Sequence, residues 1–175
     1  MYGKNIFRRK RLEDVLRIHL YKRKDMRLTI YADYSLRMLI YLAVRGEDLA
    51  TIPEIAASYG ISRHHLVKVA HQLGVKGYIQ TTRGKNGGLR LGRPAGEIRV
   101  GEVVRQMEPD MALVPCLHPV NARCPIVPSC LLRHAIERAR EAFLAVLDEY
   151  TLDDLQSPRE PLRELLRIVQ PPSAA

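Results

Sequence analysis

The stretch TIPEIAASYGISRHHLVKVAHQLGVKGYIQTTRGKNGGLRLG, residues 51–92, decides the fold. Thr51 and Glu54 match the S/T-x-x-E/Q box that opens a helix. Ile55, Ala56 and Tyr59 supply its buried face, and Gly60 ends it. Ser62 stands where it can cap the next helix, in which Leu66, Val69, Ala70 and Leu73 recur at helical spacing. Two short helices joined by a tight glycine-containing turn make a helix-turn-helix. Tyr78–Thr82 then alternates β-favouring residues, Asn86-Gly87 is a hairpin turn signal, and Leu89–Leu91 returns as a second strand. A hairpin directly after a helix-turn-helix is a wing. Three independent local patterns thus agree on a winged helix.

Outward from this unit the chain continues in helices. Upstream, Thr29 caps a helix over 30–45, with Gly46 past its end. Downstream, IRVGEVVRQME (98–108) reads as a short helix leading into LVPCLHPVNARCPIVPSCLL (113–132). From Leu131 to Tyr150 the period changes. Leu132, Ile136, Ala139, Phe143, Val146 and Tyr150 are spaced 4, 3, 4, 3, 4, with charged residues such as Arg133, Glu137, Arg138, Arg140 and Glu141 off that seam. Such a helix is either intrachain core or a dimer helix, and winged helices commonly read two half-sites as dimers. The fold class is therefore mainly α with a small β-hairpin wing: a winged helix-turn-helix domain plus a long dimerisation helix. The expected organisation is a basic extension (1–25), the winged helix-turn-helix domain (26–96), and a connecting helix with a cysteine loop (97–130). A dimerisation helix (131–156) and a flexible Pro-rich tail with one more short helix (157–175) follow.

The 175 residues are 46% hydrophobic and 27% charged, the balance of a globular chain. No uncharged apolar run reaches the ~18 residues of a spanning helix, so no membrane role is expected. The basic N-terminus lacks an apolar stretch and a small-residue cleavage site, so it is not a secretory signal and the expected compartment is cytoplasmic. The net charge is +9, of which residues 1–25 hold +6 and the rest +3. This suits a polyanionic partner, most simply nucleic acid. Residues 1–25 can form a short basic helix around 11–21. They read more simply as the product of a start codon taken too early than as a genuine arm. Neither a phosphate-binding G-x-x-x-x-G-K-[ST] loop nor a G-x-S-x-G elbow is present, and no enzyme is expected.

The chain has three cysteines, Cys116, Cys124 and Cys130, within fifteen residues. An odd number precludes a fully paired disulfide framework, so metal binding outranks a structural bridge. On spacing alone, an iron–sulfur centre and a Cys₃His zinc site completed by His118 or His134 are near parity. A reactive-thiol enzyme built on Cys116 and His118 lacks a third orienting group.

MRLTIYADYSLRMLIYLA, GISRHHLVKVAHQL, RGKNGGLRLG, IRVGEVVRQMEP and the cysteine loop, in that order, resemble the NsrR repressors. These are nitric-oxide-sensing members of the winged-helix iron–sulfur family that also includes IscR. The resemblance spans about residues 26–156 and leaves out 1–25. It implies a homodimer with one iron–sulfur cluster per subunit, [4Fe–4S] favoured and [2Fe–2S] the alternative. The implied thiolates are Cys116, Cys124 and Cys130. The implied fourth ligand is Asp33 of the partner subunit, from the T-x-x-x-D motif, with Arg37 one turn on to orient that carboxylate. IscR instead carries a histidine three residues after the last cysteine. Arg133 stands there in this chain and His134 one further along, which favours Asp33. The implied function is a repressor that binds double-stranded operator DNA while its cluster is intact and releases it on nitrosylation. A zinc- or redox-dependent winged-helix regulator, or an iron–sulfur-status sensor, is the alternative.

For DNA, the second helix of the motif enters the major groove near its N-terminus. Its polar residues there are Ser62, Arg63, His64, His65 and Lys68. His64 matches a base-contacting position of the resembled family, while Ser62, Arg63 and Lys68 suit phosphates. On the wing, Arg83, Lys85 and Asn86 suit the minor groove, with Gly87 and Gly88 allowing close approach.

Overall fold

The computed structural model describes residues 27–118 and 124–168. The basic extension with its expected helix, and residues 169–175 of the expected tail, lie outside the described residues. The chain opens with α1 (Ile30–Arg45), α2 (Ile52–Tyr59) and α3 (Arg63–Val75). Strands β1 (Ile79–Thr82) and β2 (Gly88–Leu91) follow. Then come α4 (Val100–Met107), α5 (Leu131–Asp148), α6 (Leu152–Leu155) and α7 (Arg159–Leu165).

Helix α1 is the hub. The Thr29 hydroxyl accepts the Ala32 N–H at 3.2 Å, and Gly46 closes the other end at φ 82°. Met38, Leu39, Tyr41, Leu42 and Val44 are almost wholly buried. Each apolar side chain of this size removed from water contributes roughly 1.5–3 kcal/mol. Helices α3, α4, α6 and α7 and strand β2 all pack on α1.

The helix-turn-helix forms for the reasons its sequence gives. The Thr51–Glu54 box is closed in both directions, and Gly60 takes the left-handed conformation that a residue with a Cβ resists. Leu66, Val69, Ala70 and Leu73 face the core. Ser62 does stand at the N-cap of α3, but its side chain makes no capping hydrogen bond.

The wing pairs antiparallel, Ile79 opposite Leu91 through Thr82 opposite Gly88. Its turn departs from the expected one. The loop spans residues 83–87, is closed by Gly87 N–H donating to Gly84 O at 3.0 Å, and places its positive φ at Gly84 rather than at Asn86-Gly87. A third edge joins it: Ala50 and Leu89 exchange both backbone hydrogen bonds, at 2.9 and 2.7 Å.

Three boundaries differ from expectation. Residue 96 is not a packing boundary, because α4 lies against α1 within the same core. The long helix stops at Asp148, not at 156. A second capping box, Thr151 with Asp154, starts α6, and Leu152 is buried. The expected flexible tail is docked as far as residue 168. Arg159 Nε and Arg163 Nη1 donate to Val44 O at 3.0 and 3.3 Å, capping the end of α1. Leu166 and Ile168 are buried, and Ser58 Oγ donates to Leu166 O at 2.7 Å.

Helix α5 leaves its heptad seam outside the chain's own core. Leu132 is 67%, Phe143 46%, Val146 52% and Tyr150 47% exposed, and Leu144, off the seam, is the buried residue of this helix. The intrachain-core reading of the seam does not hold. Among the described residues no helix is long and apolar enough to cross a membrane.

Candidate functional site

The cysteine loop is shaped by its prolines. Pro115 opens a single 3₁₀ turn, Pro115–Leu117, which carries Cys116. Pro128 lies in a second, Val127–Ser129, which leads into Cys130 at the N-cap of α5. The three thiols are free, with Cys124 exposed and the other two half-buried. Cys130 Sγ accepts the Arg133 N–H at 3.4 Å. Arg133 Nε donates back to Cys116 O at 3.4 Å. One residue therefore ties the first cysteine's backbone to the last cysteine's sulfur. Backbone N–H donors aimed at sulfur are what cluster-bound thiolates use. The donor chemistry fits a soft metal centre. Among the described residues, no three of His, Cys, Asp and Glu come together in a metal-binding group, and this holds for the three cysteines themselves as it does for cysteines with His118 or His134.

Asp33 sits in the first turn of α1, 42% exposed, and accepts from Arg37 Nε at 3.0 Å. That hydrogen bond raises the Arg37 guanidinium above its already high ordinary value. Arg37 lies 5.8 Å from the centre of the Tyr59 ring, at the end of α2. Burial pushes the Tyr59 phenol up to about 12. Tyr34, next to Asp33, lies 6.1 Å from the His65 ring at the start of α3. The Asp33 turn of α1 thus touches both helices of the helix-turn-helix. The start of α1 is also held at the root of the cysteine loop, since Thr29 N–H donates to Glu108 Oε1 at 2.6 Å.

On α3, Ser62, Arg63, His64 and Lys68 are exposed, and the first turn carries no acidic residue. The helix N-terminus adds its own partial positive charge. His65 is the exception: it is half-buried and turned toward Tyr34. Arg83, Lys85 and Asn86 project from the wing. Gly87 and Gly88 are also required by the chain itself. A Cβ on Gly87 would meet Thr82 O at 2.3 Å, and one on Gly88 would meet Ala50 O at 2.9 Å. Both glycines lie this close to the chain's own backbone.

Three features escaped the sequence reading. Arg90 lies on the exposed wing face and donates to its cross-strand partner Gln80 at 3.0 and 3.2 Å. Period-2 alternation along the strand could have revealed it. Gly101 allows α4 and α5 to touch, because a Cβ there would lie 2.2 Å from Asp148 Oδ1. Glu102 holds the wing root, and burial followed by its hydrogen bond pushes the Tyr78 phenol well above its ordinary value. No local signal marks Gly101 or Glu102.

Comparison with known proteins agrees with this geometry. The Rrf2 family model, described as an iron-dependent transcriptional regulator, matches residues 28–158. The HTH-type transcriptional regulator NsrR of Bacillus licheniformis is 46% identical over 142 residues, covering 81% of this chain and 99% of that one. Among solved structures, CymR, the global cysteine regulator of B. subtilis, superposes with a TM-score of 0.62 at 28% identity, covering 77% of this chain and 98% of that one. IscR of T. potens shares the fold, with a TM-score of 0.63 at 22% identity over 83% of this chain and 94% of its own.

Proposed function

The chain belongs to the Rrf2 family of transcriptional regulators, and from that premise we propose that it is a nitric-oxide-responsive repressor. It acts as a cytoplasmic homodimer that binds double-stranded operator DNA while an iron–sulfur cluster is in place, and releases it on nitrosylation. The observation that supports this reading is the pairing, within one chain, of three free thiols in the loop leading into α5 with a solvent-facing basic reading helix.

Cys116, Cys124 and Cys130 would hold the cluster, [4Fe–4S] in preference to [2Fe–2S], and Asp33 of the partner subunit would complete the donor set. Such a centre would supply iron able to react with nitric oxide. A carboxylate is a harder, weaker partner for iron than a thiolate, so Asp33 would be the most readily displaced of the four ligands. In the single chain Asp33 is already paired with Arg37, which gives the released carboxylate a resting place. Arg37 reaches Tyr59 and Tyr34 reaches His65, so a shift of this turn bears on both helices of the reading head. On DNA, His64 reads a base while Ser62, Arg63 and Lys68 hold phosphates, and Arg83, Lys85 and Asn86 follow the minor groove.

The test is a nitric oxide titration of anaerobically purified protein, with operator binding followed in parallel. The expected result is loss of DNA binding in step with loss of colour. Colourless protein with full operator affinity overturns the reading. In Asp33→Ala the centre still forms but its response to nitric oxide changes in rate or stoichiometry. Wild-type reactivity together with wild-type DNA release removes Asp33 from the ligand set.

A further inference from the structure

Both ends of the wing are held by one carboxylate oxygen. Tyr78 immediately precedes β1 and Arg93 stands two residues past the end of β2. The Tyr78 hydroxyl donates to Glu102 Oε1 at 2.9 Å, and Arg93 Nη2 donates to the same oxygen at 2.7 Å. Gln106 Nε2 reaches it at 3.5 Å, the outer limit of a hydrogen bond. The Arg93 guanidinium also lies 4.8 Å from the centre of the Tyr78 ring.

Tyr78 is wholly buried, so its hydroxyl is costly without a partner, and Glu102 supplies one. The strands are pressed together at the same point. Gly92 N–H donates to Tyr78 O at 2.8 Å, and a Cβ on Gly92 would lie 2.6 Å from Gly77 O. The hairpin leaves the body at one angle because its root has no slack.

Glu102 is not on the wing. It belongs to α4, which is bonded in turn to the end of α5. Arg105 grips the Asp148 carboxylate with both terminal nitrogens, Nη1 to Oδ1 at 2.8 Å, and Arg99 Nη1 donates to Asp148 O at 2.6 Å. Separate polar contacts on α4 therefore tie this one helix both to the end of α5 and to the wing root.

We propose that Glu102 is a positioning residue for DNA binding: it sets where Arg83 and Lys85 arrive on the duplex without touching the duplex itself. This rests on the reading of the wing as a DNA contact. A two-residue cycle tests it by fluorescence anisotropy at fixed salt. The probe is a duplex that wild-type holo-protein selects from a randomised pool.

In the wild type, Arg83→Ala is expected to weaken binding about tenfold. In a Glu102→Ala background the same change should cost less than about twofold, because the wing no longer delivers Arg83 to its place. His64→Ala should cost the same in both backgrounds, which separates wing positioning from general loosening. Glu102→Gln keeps an acceptor for Tyr78 and should restore most of the Arg83 effect. Where Glu102→Ala does not fold, Arg93→Ala, at a partly exposed residue, carries the same cycle. An Arg83→Ala cost undiminished in these backgrounds overturns the positioning role. No Arg83→Ala effect in the wild type overturns the wing reading instead.

Discussion

Cys130→Ser protein, purified without oxygen, is expected to be colourless and to bind operator duplex no better than random DNA. Cys130 has two roles in the structure, and serine separates them. Its sulfur caps α5 by accepting the Arg133 N–H, and a serine hydroxyl caps a helix at least as well. The fold and the start of α5 are therefore retained. A hydroxyl is a poor soft-metal ligand, so two thiolates remain where three were. Because specific binding typically exceeds non-specific binding by ~10³ or more, losing it is an unmistakable change. Circular dichroism should match the wild type, iron analysis should show none bound, and operator competition should fail. A brown Cys130→Ser protein with wild-type operator affinity would remove Cys130 from the centre. Cys130→Ala loses the cap as well, and should add to the same loss a cost of about 1 kcal/mol in stability.

The contrast between what could and could not be read from the chain follows the range of the forces involved. Caps, glycine stops and alternating strands are decided by neighbours within four residues, so Thr29, Thr51, Gly60 and the wing were legible. The Thr151–Asp154 box is just as local. It was masked because the heptad spacing continues through it to Tyr150, and periodicity alone does not say where a helix breaks. The docking of residues 157–168 rests on Arg159 and Arg163 meeting Val44 O, more than a hundred residues away in sequence, and no window contains both partners. Glycine meaning was only half legible. Gly87 and Gly88 stand out in the sequence, but that a Cβ at either would meet the protein's own carbonyls depends on tertiary packing. At the candidate centre the thiols were plain from sequence. Their tie through Arg133 was not, since it joins Cys116 to a helix seventeen residues on.

The remaining large effect concerns the face of α5. Phe143→Glu should convert a dimer into a monomer at micromolar concentration and weaken operator binding by about 100-fold or more. Phe143 is 46% exposed in the single chain and lies on a seam with Leu132, Ile136, Val146 and Tyr150. A helix does not keep so many large apolar residues in register toward water without a partner. In a two-fold dimer the seam meets its own copy, so one substitution places two carboxylates at one interface. Breaking such an interface by leaving a buried charge unpaired costs about 3–5 kcal/mol. That corresponds to a factor of roughly 10²–10³ or more in dissociation constant. The monomer presents one reading helix and loses the second half-site. Folding of the chain itself is spared, because residue 143 packs outside the core; Leu144→Glu, one residue along and buried, should unfold instead. Sedimentation equilibrium with operator titration checks both outcomes. A Phe143→Glu protein that remains dimeric at wild-type concentrations places the subunit contact elsewhere. It would also remove the reason for a ligand donated across the seam, because the proposed donation of Asp33 by the partner subunit requires the two α5 helices to bring the subunits together.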